Sequence, residues 1–279
     1  MSPLSPPLLE IQDLEIAFPG GEPVVRGVSL AVGRGEIVGL VGESGSGKTM
    51  TALAVLGLVP PPGRVTGGRI LLEGETDLLT LSPRHLRRVR GRRIAMVFQE
   101  PAAAFNPVYT IGFQIAEAVR AHPRGDGDRV SRREALAEAA RLLDRVAIAD
   151  ARRRLRDYPH QLSGGQRQRA MIAMALAGGP DLLLADEPTT ALDVTLQAQI
   201  LELLEEIRRE MGLAVLLITH DLGVVAETCD RVVVMRGGRI VEQAGVLELF
   251  RAPAHPYTRE LLAAVPKLAG EGIHPESEA

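Results

Sequence analysis

A chain of 279 residues, 46% of them apolar, can bury a substantial core without disulfide or metal staples. Its formal net charge of −3 supplies no overall basic field to hold nucleic acid, so DNA and RNA are not expected as partners, and no apolar run approaches the ~18 residues needed to cross a bilayer. The single cysteine, Cys229, excludes an internal disulfide; with no secretory leader and no Cys/His spacing for zinc, the expected setting is reducing and cytoplasmic.

The chain opens on a Ser/Pro-rich stretch, Met1 to Pro7, and closes on a polar, mostly acidic one, Ala269 to Ala279; both are expected to be disordered. Leu9 to Phe18 and Val24 to Val32 mix apolar and polar positions as half-exposed strands do, and the Pro19-Gly20-Gly21 turn between them predicts an antiparallel edge sheet. Ile37 to Val41, Ile94 to Phe98, Leu182 to Ala185 and Ala214 to Ile218 are instead continuous apolar runs. Such runs predict strands covered on both faces, the core of a parallel sheet. Helical periodicity at Lys48 to Leu58 and at Thr195 to Met211 follows strands, so the fold class is α/β. Between Gln99 and Gly179 the pattern changes to helices alone, Ile111 to Ala121, Arg132 to Val146 and Gly165 to Ala177, which predicts an α-helical subdomain inserted into the core. No solenoid repeat occurs, and Arg132 to Val146 lacks the heptads of a long coiled coil. Cys229, ahead of a strand from Arg231 to Met235, is expected as a buried apolar filler.

Gly42-Glu43-Ser44-Gly45-Ser46-Gly47-Lys48-Thr49 lies between the Ile37 strand and a helix. Its three glycines allow a tight turn that aims successive amides inward as a nest for phosphate oxygens. Lys48 brings a charge within reach of β and γ phosphates, and it stands out because Lys267 is the other lysine of the pair in this arginine-rich chain. Thr49 offers a hydroxyl to Mg²⁺, and the helix beginning here points its positive end at the same anions. The pattern predicts magnesium-dependent binding of ATP.

Asp186 and Glu187 stand at the C-terminal end of the Leu182 strand, the edge of an α/β sheet where ligands bind. Asp186 is expected to hold Mg²⁺ through the metal's water shell, and Glu187 to polarise the water that attacks the γ-phosphate in line. Read alone, the pair is equally a polar strand end capping a turn. His220 follows the strand Val215 to Thr219 in the position of a γ-phosphate sensor, although a lone histidine is more often structural. The amide of Gln99 can contact Mg²⁺ or the lytic water. Leu162-Ser163-Gly164-Gly165-Gln166 opens a helix with a serine cap and free amides, either an ordinary cap or a second anion site.

Together these motifs resemble the ATP-binding subunits of ABC transporters, from about Leu8 to Pro266. On that resemblance Gly42 to Thr49, with Met50 after it, is similar to the Walker A loop, Gln99 to the Q-loop, and Ser163, Gly164, Gly165 and Gln166 to the signature. Leu182 to Glu187 is similar to the Walker B strand with its catalytic glutamate, Ala191-Leu192-Asp193 to the D-loop, and His220 to the switch histidine. Phe18 falls where the family stacks an aromatic ring on adenine; a phenyl ring keeps the stacking face without tyrosine's hydroxyl, and core packing is its other reading. The resemblance implies a P-loop NTPase (RecA-like) core at residues 1–98 and 179–254 that includes the antiparallel β edge subdomain, the helical subdomain at 99–178, and a C-terminal extension at 255–279. It also implies two such ATPases closing head to tail, so that each ATP lies between one phosphate loop and the partner's signature helix.

Phe98-Gln99-Glu100-Pro101 followed by Phe105-Asn106-Pro107, and His255-Pro256-Tyr257-Thr258 with an apolar-periodic stretch to Val265, resemble importers of dipeptides, oligopeptides and nickel. That branch implies two transmembrane permease subunits, an extracytoplasmic solute-binding protein, a second ATPase subunit that is identical or related, and a place on the cytoplasmic face of the cell membrane. Many members carry a cysteine-bearing tail for an iron–sulfur cluster; no cysteine follows Cys229, so no cluster is expected. Arg84, Arg87, Arg88, Arg90, Arg92 and Arg93 read as a solvated face, or as a contact for permease loops or anionic headgroups. Rival readings are an exporter ATPase and a soluble ABC-type ATPase acting on DNA or ribosomes. The solute is not legible, because the ATPase never touches it.

Overall fold

The computed structural model describes residues 6–122, 130–190 and 192–264. Residues 1–5 and 269–279, expected to be disordered, lie outside the described residues, as do Ala191 and Val265. In chain order β1 (Leu9–Ala17) and β2 (Val25–Val32) are followed by β3 (Ile37–Val41), α1 (Lys48–Val55), β4 (Arg64–Leu72), β5 (Thr76–Asp77), α2 (Pro83–Val89) and β6 (Ile94–Val97). Helices α3 (Pro101–Ala104), α4 (Ile111–Ala121), α5 (Arg132–Arg145), α6 (Ala151–Arg154) and α7 (Gly164–Ala175) come next. Then follow β7 (Leu182–Asp186), α8 (Val194–Met211), β8 (Ala214–Thr219), α9 (Leu222–Thr228), β9 (Arg231–Arg236), β10 (Arg239–Gly245), α10 (Val246–Arg251) and α11 (Pro256–Ala263).

The continuous apolar runs form a six-stranded sheet in the order β10-β9-β3-β8-β7-β6. Its strands are parallel except β10, which returns antiparallel on β9. Ile37, Val41, Leu183, Ala185, Val215 and Leu217 pack with residues of α4, α5, α7, α8 and α9. Their alternates Val38, Leu40, Leu182, Leu184, Leu216 and Ile218 pack with β1, β2, β4 and α1. Both faces are covered, which is why these runs are apolar at every position. Truncating one such buried leucine to alanine costs about 2–5 kcal/mol through lost burial and the cavity left behind.

The second sheet is antiparallel, in the order β2-β1-β4-β5. β1 and β2 match the expected edge sheet, but β4 completes it and was not anticipated. The first six residues of β4, Arg64 to Arg69, are exposed or half-exposed and include Gly67-Gly68; Ile70, Leu71 and Leu72 are buried. Its apolar signal is therefore confined to its last three residues, and the strand exists because β1 offers it a partner edge, with Leu9 opposite Leu72.

β6 and β7 are neighbours, Ile94 opposite Leu182, and the crossover between them carries α3 to α7. Local chemistry starts these helices: Thr110 caps α4, and capping boxes pair Ser131 with Glu134 on α5 and Ser163 with Gln166 on α7. α1 ends at Val55 rather than the expected Leu58, because Gly57 leaves the helix with φ 60°. α7 begins one residue early, at Gly164, and tightens after Ala175 into a 3-10 turn over Leu176–Gly178. The arginine run divides. Arg84, Arg87 and Arg88 are exposed, whereas Arg90 donates to the carbonyls of Leu56 and Gly57 and Arg93 pairs with Glu73 and Asp181.

Candidate functional site

Four adjacent strands, β3, β8, β7 and β6, end on the same edge of the large sheet. β3 runs into the loop 42–47, β8 into His220, β7 into Glu187 and β6 into Gln99. Residues that lie between positions 42 and 220 of the chain thus meet by strand order.

The loop is held tightly at its two ends. A Cβ on Gly42, where φ is 150°, would lie 2.0 Å from the carbonyl oxygen of Met235 at the end of β9. One on Gly47, where φ is 102°, would lie 2.7 Å from the carbonyl oxygen of Val24. Inside the turn the Lys48 ammonium donates to the carbonyls of Gly42 at 2.8 Å and Glu43 at 2.9 Å. Lys48 is buried, which lowers its pKa, while the carboxylates of Glu187, Asp186 and Glu43 pull in the opposite sense. This is a cation with few water contacts whose hydrogen bonds go to main-chain carbonyls rather than to a carboxylate, so it can still pair with a phosphate.

The Thr49 hydroxyl donates to Asp186 Oδ1 at 3.1 Å. Burial raises the Asp186 pKa; Thr49 and Lys48 oppose the rise and the charge of Glu187 adds to it. Among the described residues no cluster of three or more His, Cys, Asp or Glu forms a cage for a metal. The donors at hand are the Thr49 hydroxyl, one Asp186 carboxylate and the Gln99 amide. That hard, all-oxygen set with a single carboxylate suits Mg²⁺, which keeps waters and shares its shell with substrate phosphates. The residues fit the ion.

Glu187 has a left-handed backbone, φ 46°, fixed by its N–H bond to the Ile218 carbonyl at 2.8 Å. Non-glycine residues rarely adopt this conformation, and it holds the side chain at the junction of three strands. Oε2 accepts from Gln99 Nε2 at 3.0 Å and from the Thr190 hydroxyl at 2.7 Å, and Oε1 lies 3.2 Å from His220 Nδ1. Burial would raise this carboxyl's pKa, but the Thr190 and His220 hydrogen bonds and the charges of His220 and Lys48 outweigh it, so Glu187 stays below its ordinary value. Such a group is an ionised base at neutral pH. Thr190 was missed in the sequence; its spacing of three residues from Glu187 across a Pro188 turn was the available signal.

The remaining expected residues stand apart from this cluster. Met50 is half-buried against the core. Ser163 is the α7 cap, accepting from Gln166 N–H at 3.2 Å while its own N–H donates to Gln166 Oε1 at 3.1 Å. Gly164 has open space around its Cβ position, and Gly165 packs on Leu196 of α8. Asp193 caps α8 by accepting from Leu196 N–H at 2.9 Å. Among the described residues, Ser163 to Gln166 and Asp193 share no hydrogen bond with residues 42–49. Phe18 is half-buried with its ring against Gly63, at the opening of the turn that closes at Val24 beside Gly47.

A family model described as "ABC transporter" matches residues 25–190. The chain is 57% identical to the probable peptide ABC transporter ATP-binding protein y4tR of Sinorhizobium fredii, over 93% of this chain and 77% of that protein. It is 53% identical to the oligopeptide transport ATP-binding protein OppD of Mycobacterium tuberculosis, over 94% of this chain and 42% of that longer protein. Among solved structures it superposes on cbiO1 from Clostridium perfringens, part of the transporter complex cbiONQ, with a TM-score of 0.75 and 26% identity, covering 94% and 96% of the two chains. The ADP- and Pi-bound dimer of the cassette MJ0796 gives a TM-score of 0.73 at 28% identity, covering 85% of this chain and 98% of that one.

Proposed function

The chain belongs to the ABC transporter family as an ATP-binding ATPase subunit, and we propose that it drives an importer of di- or oligopeptides, or of a related solute such as glutathione or nickel. The observation that carries the catalytic reading is the Glu187 carboxylate, ionised and oriented by Gln99, Thr190 and His220 beside Lys48, Thr49 and Asp186. The loop amides and Lys48 bind the phosphates, and Thr49, Gln99 and Asp186 would hold Mg²⁺, Asp186 through the metal's water shell. When bound, Mg²⁺ neutralises charge on the β and γ phosphates. Glu187 Oε2 orients the attacking water and takes up its proton, and His220 senses the γ-phosphate. Phe18 stacks on adenine.

The divided location of the cluster and of Ser163 to Gln166 supports a two-cassette site, in which the partner's signature helix and Asp193 close over ATP. Residues 1–98 and 179–254 then act as the nucleotide core, 99–178 as the helical subdomain and 255–279 as the extension. A cleft of about 210 Å³ beside the Gln99 loop, lined by Leu58, Phe98, Ala104, Ala118, Met171 and Met174, suits a short apolar helix from a permease. No described helix is long and apolar enough to cross a membrane. The import names of the relatives support a place for the subunit on the cytoplasmic face against two permease subunits, fed by an extracytoplasmic binding protein. The peptide-import names of the relatives favour this over export or a role on DNA or ribosomes.

Glu187→Gln tests the chemistry. It is expected to bind ATP, hydrolyse it at least about 100-fold more slowly and trap a dimer; native turnover would remove Glu187 from the reaction. Isolation from membranes is expected to bring down two permease subunits, and stable recovery with ribosomes or DNA instead would refute the transport reading.

A further inference from the structure

The motif His255-Pro256-Tyr257-Thr258 has no part in the chemistry above, yet its tyrosine reaches the phosphate loop. His255 caps α11 by accepting from the Tyr257 N–H at 3.1 Å. The amides of Ala254 and His255 donate to the Glu242 carboxylate of β10 at 2.7 and 2.9 Å, and Arg259 ties back to the carbonyls of Pro253 and Ala254. So held, Tyr257 is only 4% exposed, with the Arg236 guanidinium 4.4 Å from its ring centre. Its hydroxyl accepts a hydrogen bond from the Glu43 N–H at 3.0 Å. The Gly42 carbonyl, in the same peptide group as that N–H, accepts from the Lys48 ammonium at 2.8 Å, and the Glu43 carbonyl accepts from it at 2.9 Å.

We propose that Tyr257 is a positioning residue for ATP: a latch built by the C-terminal segment holds the Glu43 main chain, and through it Lys48, in the arrangement that receives phosphate. The inference rests on reading residues 42–49 as the phosphate site. Glu43 is the first residue beyond the close contact of Gly42 with β9, so its N–H has little freedom to find another acceptor without turning the peptide. Turning it would carry the Gly42 carbonyl, which shares that peptide plane with the Glu43 N–H, away from Lys48. A loop that visits the receptive arrangement for only part of the time binds ATP more weakly in proportion to that fraction, with no contact to ATP lost. The latch is thus a device of preorganisation, and the segment's hold on Glu242 is what aims the hydroxyl.

The test uses the full chain. Tyr257→Phe keeps the ring under Arg236 and removes only the hydroxyl. It is expected to raise the Kd and KM for ATP about five-fold, as when the receptive fraction falls to a fifth, with kcat within about two-fold. Hydrogen exchange in residues 42–49 is expected to quicken in the free protein and to return to the native rate at saturating ATP. Glu242→Gln, which loosens the latch without touching the loop, is expected to raise KM in the same sense by about two-fold. Native KM, Kd and exchange in Tyr257→Phe would overturn the latch; should that variant fail to fold, an unchanged KM in Glu242→Gln overturns it. Lys48→Ala is run beside them. If it binds ATP normally, the phosphate-site reading fails and the latch with it; if it loses ATP while Tyr257→Phe is native, the latch alone fails.

Discussion

Gly42 and Gly45 belong to one motif and are constrained by different physics. Both have positive φ, 150° and 79°, so alanine at either pays a dihedral cost of about 1–2 kcal/mol. At Gly45 nothing lies within 4 Å of the new Cβ, so that is the whole cost. At Gly42 the Cβ would sit 2.0 Å from the Met235 carbonyl oxygen, and this is backbone rather than a movable side chain. Met235 is paired with Ile240 of β10 in an antiparallel ladder, and β9 is in turn bonded to β3, so retreat would break sheet hydrogen bonds. Overpacking adds about 1–3 kcal/mol, giving about 2–5 kcal/mol for Gly42→Ala. At about 2–4 °C per kcal/mol for a chain of this size, Gly45→Ala is expected to lower Tm by about 2–8 °C and Gly42→Ala by about 4–20 °C. Thermal unfolding followed by circular dichroism, without nucleotide, reads both. A Gly42→Ala protein no less stable than Gly45→Ala would refute the claim that β9 leaves this turn no room.

Thr190→Val removes the 2.7 Å hydroxyl bond to Glu187 and keeps the side chain's shape. Because that bond helps hold the Glu187 carboxyl below its usual range, its loss raises the pKa, and the acid limb of the kcat–pH profile is expected to move to higher pH with kcat at pH 7 down about ten-fold. An acid limb that stays put would count against Thr190. Cys229 is buried and its thiol is pushed up to about 12 by burial, so at pH 8 only about 10⁻⁴ of it is thiolate. Iodoacetamide is expected to label it only after denaturation, and rapid labelling of native protein would show the Gly39–Cys229 packing to be wrong.

Where the determining interactions are local, the sequence was sufficient. Ile37 to Val41 reads as a doubly covered strand because every position is apolar, and the glycine spacing after it announces the phosphate turn. The starts of α5 and α7 are written in Ser131 with Glu134 and in Ser163 with Gln166, residues three apart that bond each other. β4 was not legible: six of its nine residues face outward or sit at half-exposed positions around Gly67-Gly68, and its identity comes from β1 rather than from its own pattern.

Only the tertiary structure decided how the site closes. The order β3-β8-β7-β6 sets Gln99, Glu187 and His220 side by side, and pairing across a sheet depends on which strands become neighbours, which no local stretch of chain encodes. The same is true of Tyr257, which touches Glu43 from 214 residues away and in sequence carries only a resemblance to one branch of the family. Short-range propensity and spacing named the phosphate loop and its acids; the enclosure of that loop by β9 and α11 is a product of long-range packing, because steric and hydrogen-bonding contacts between distant segments exist only once the sheet has assembled.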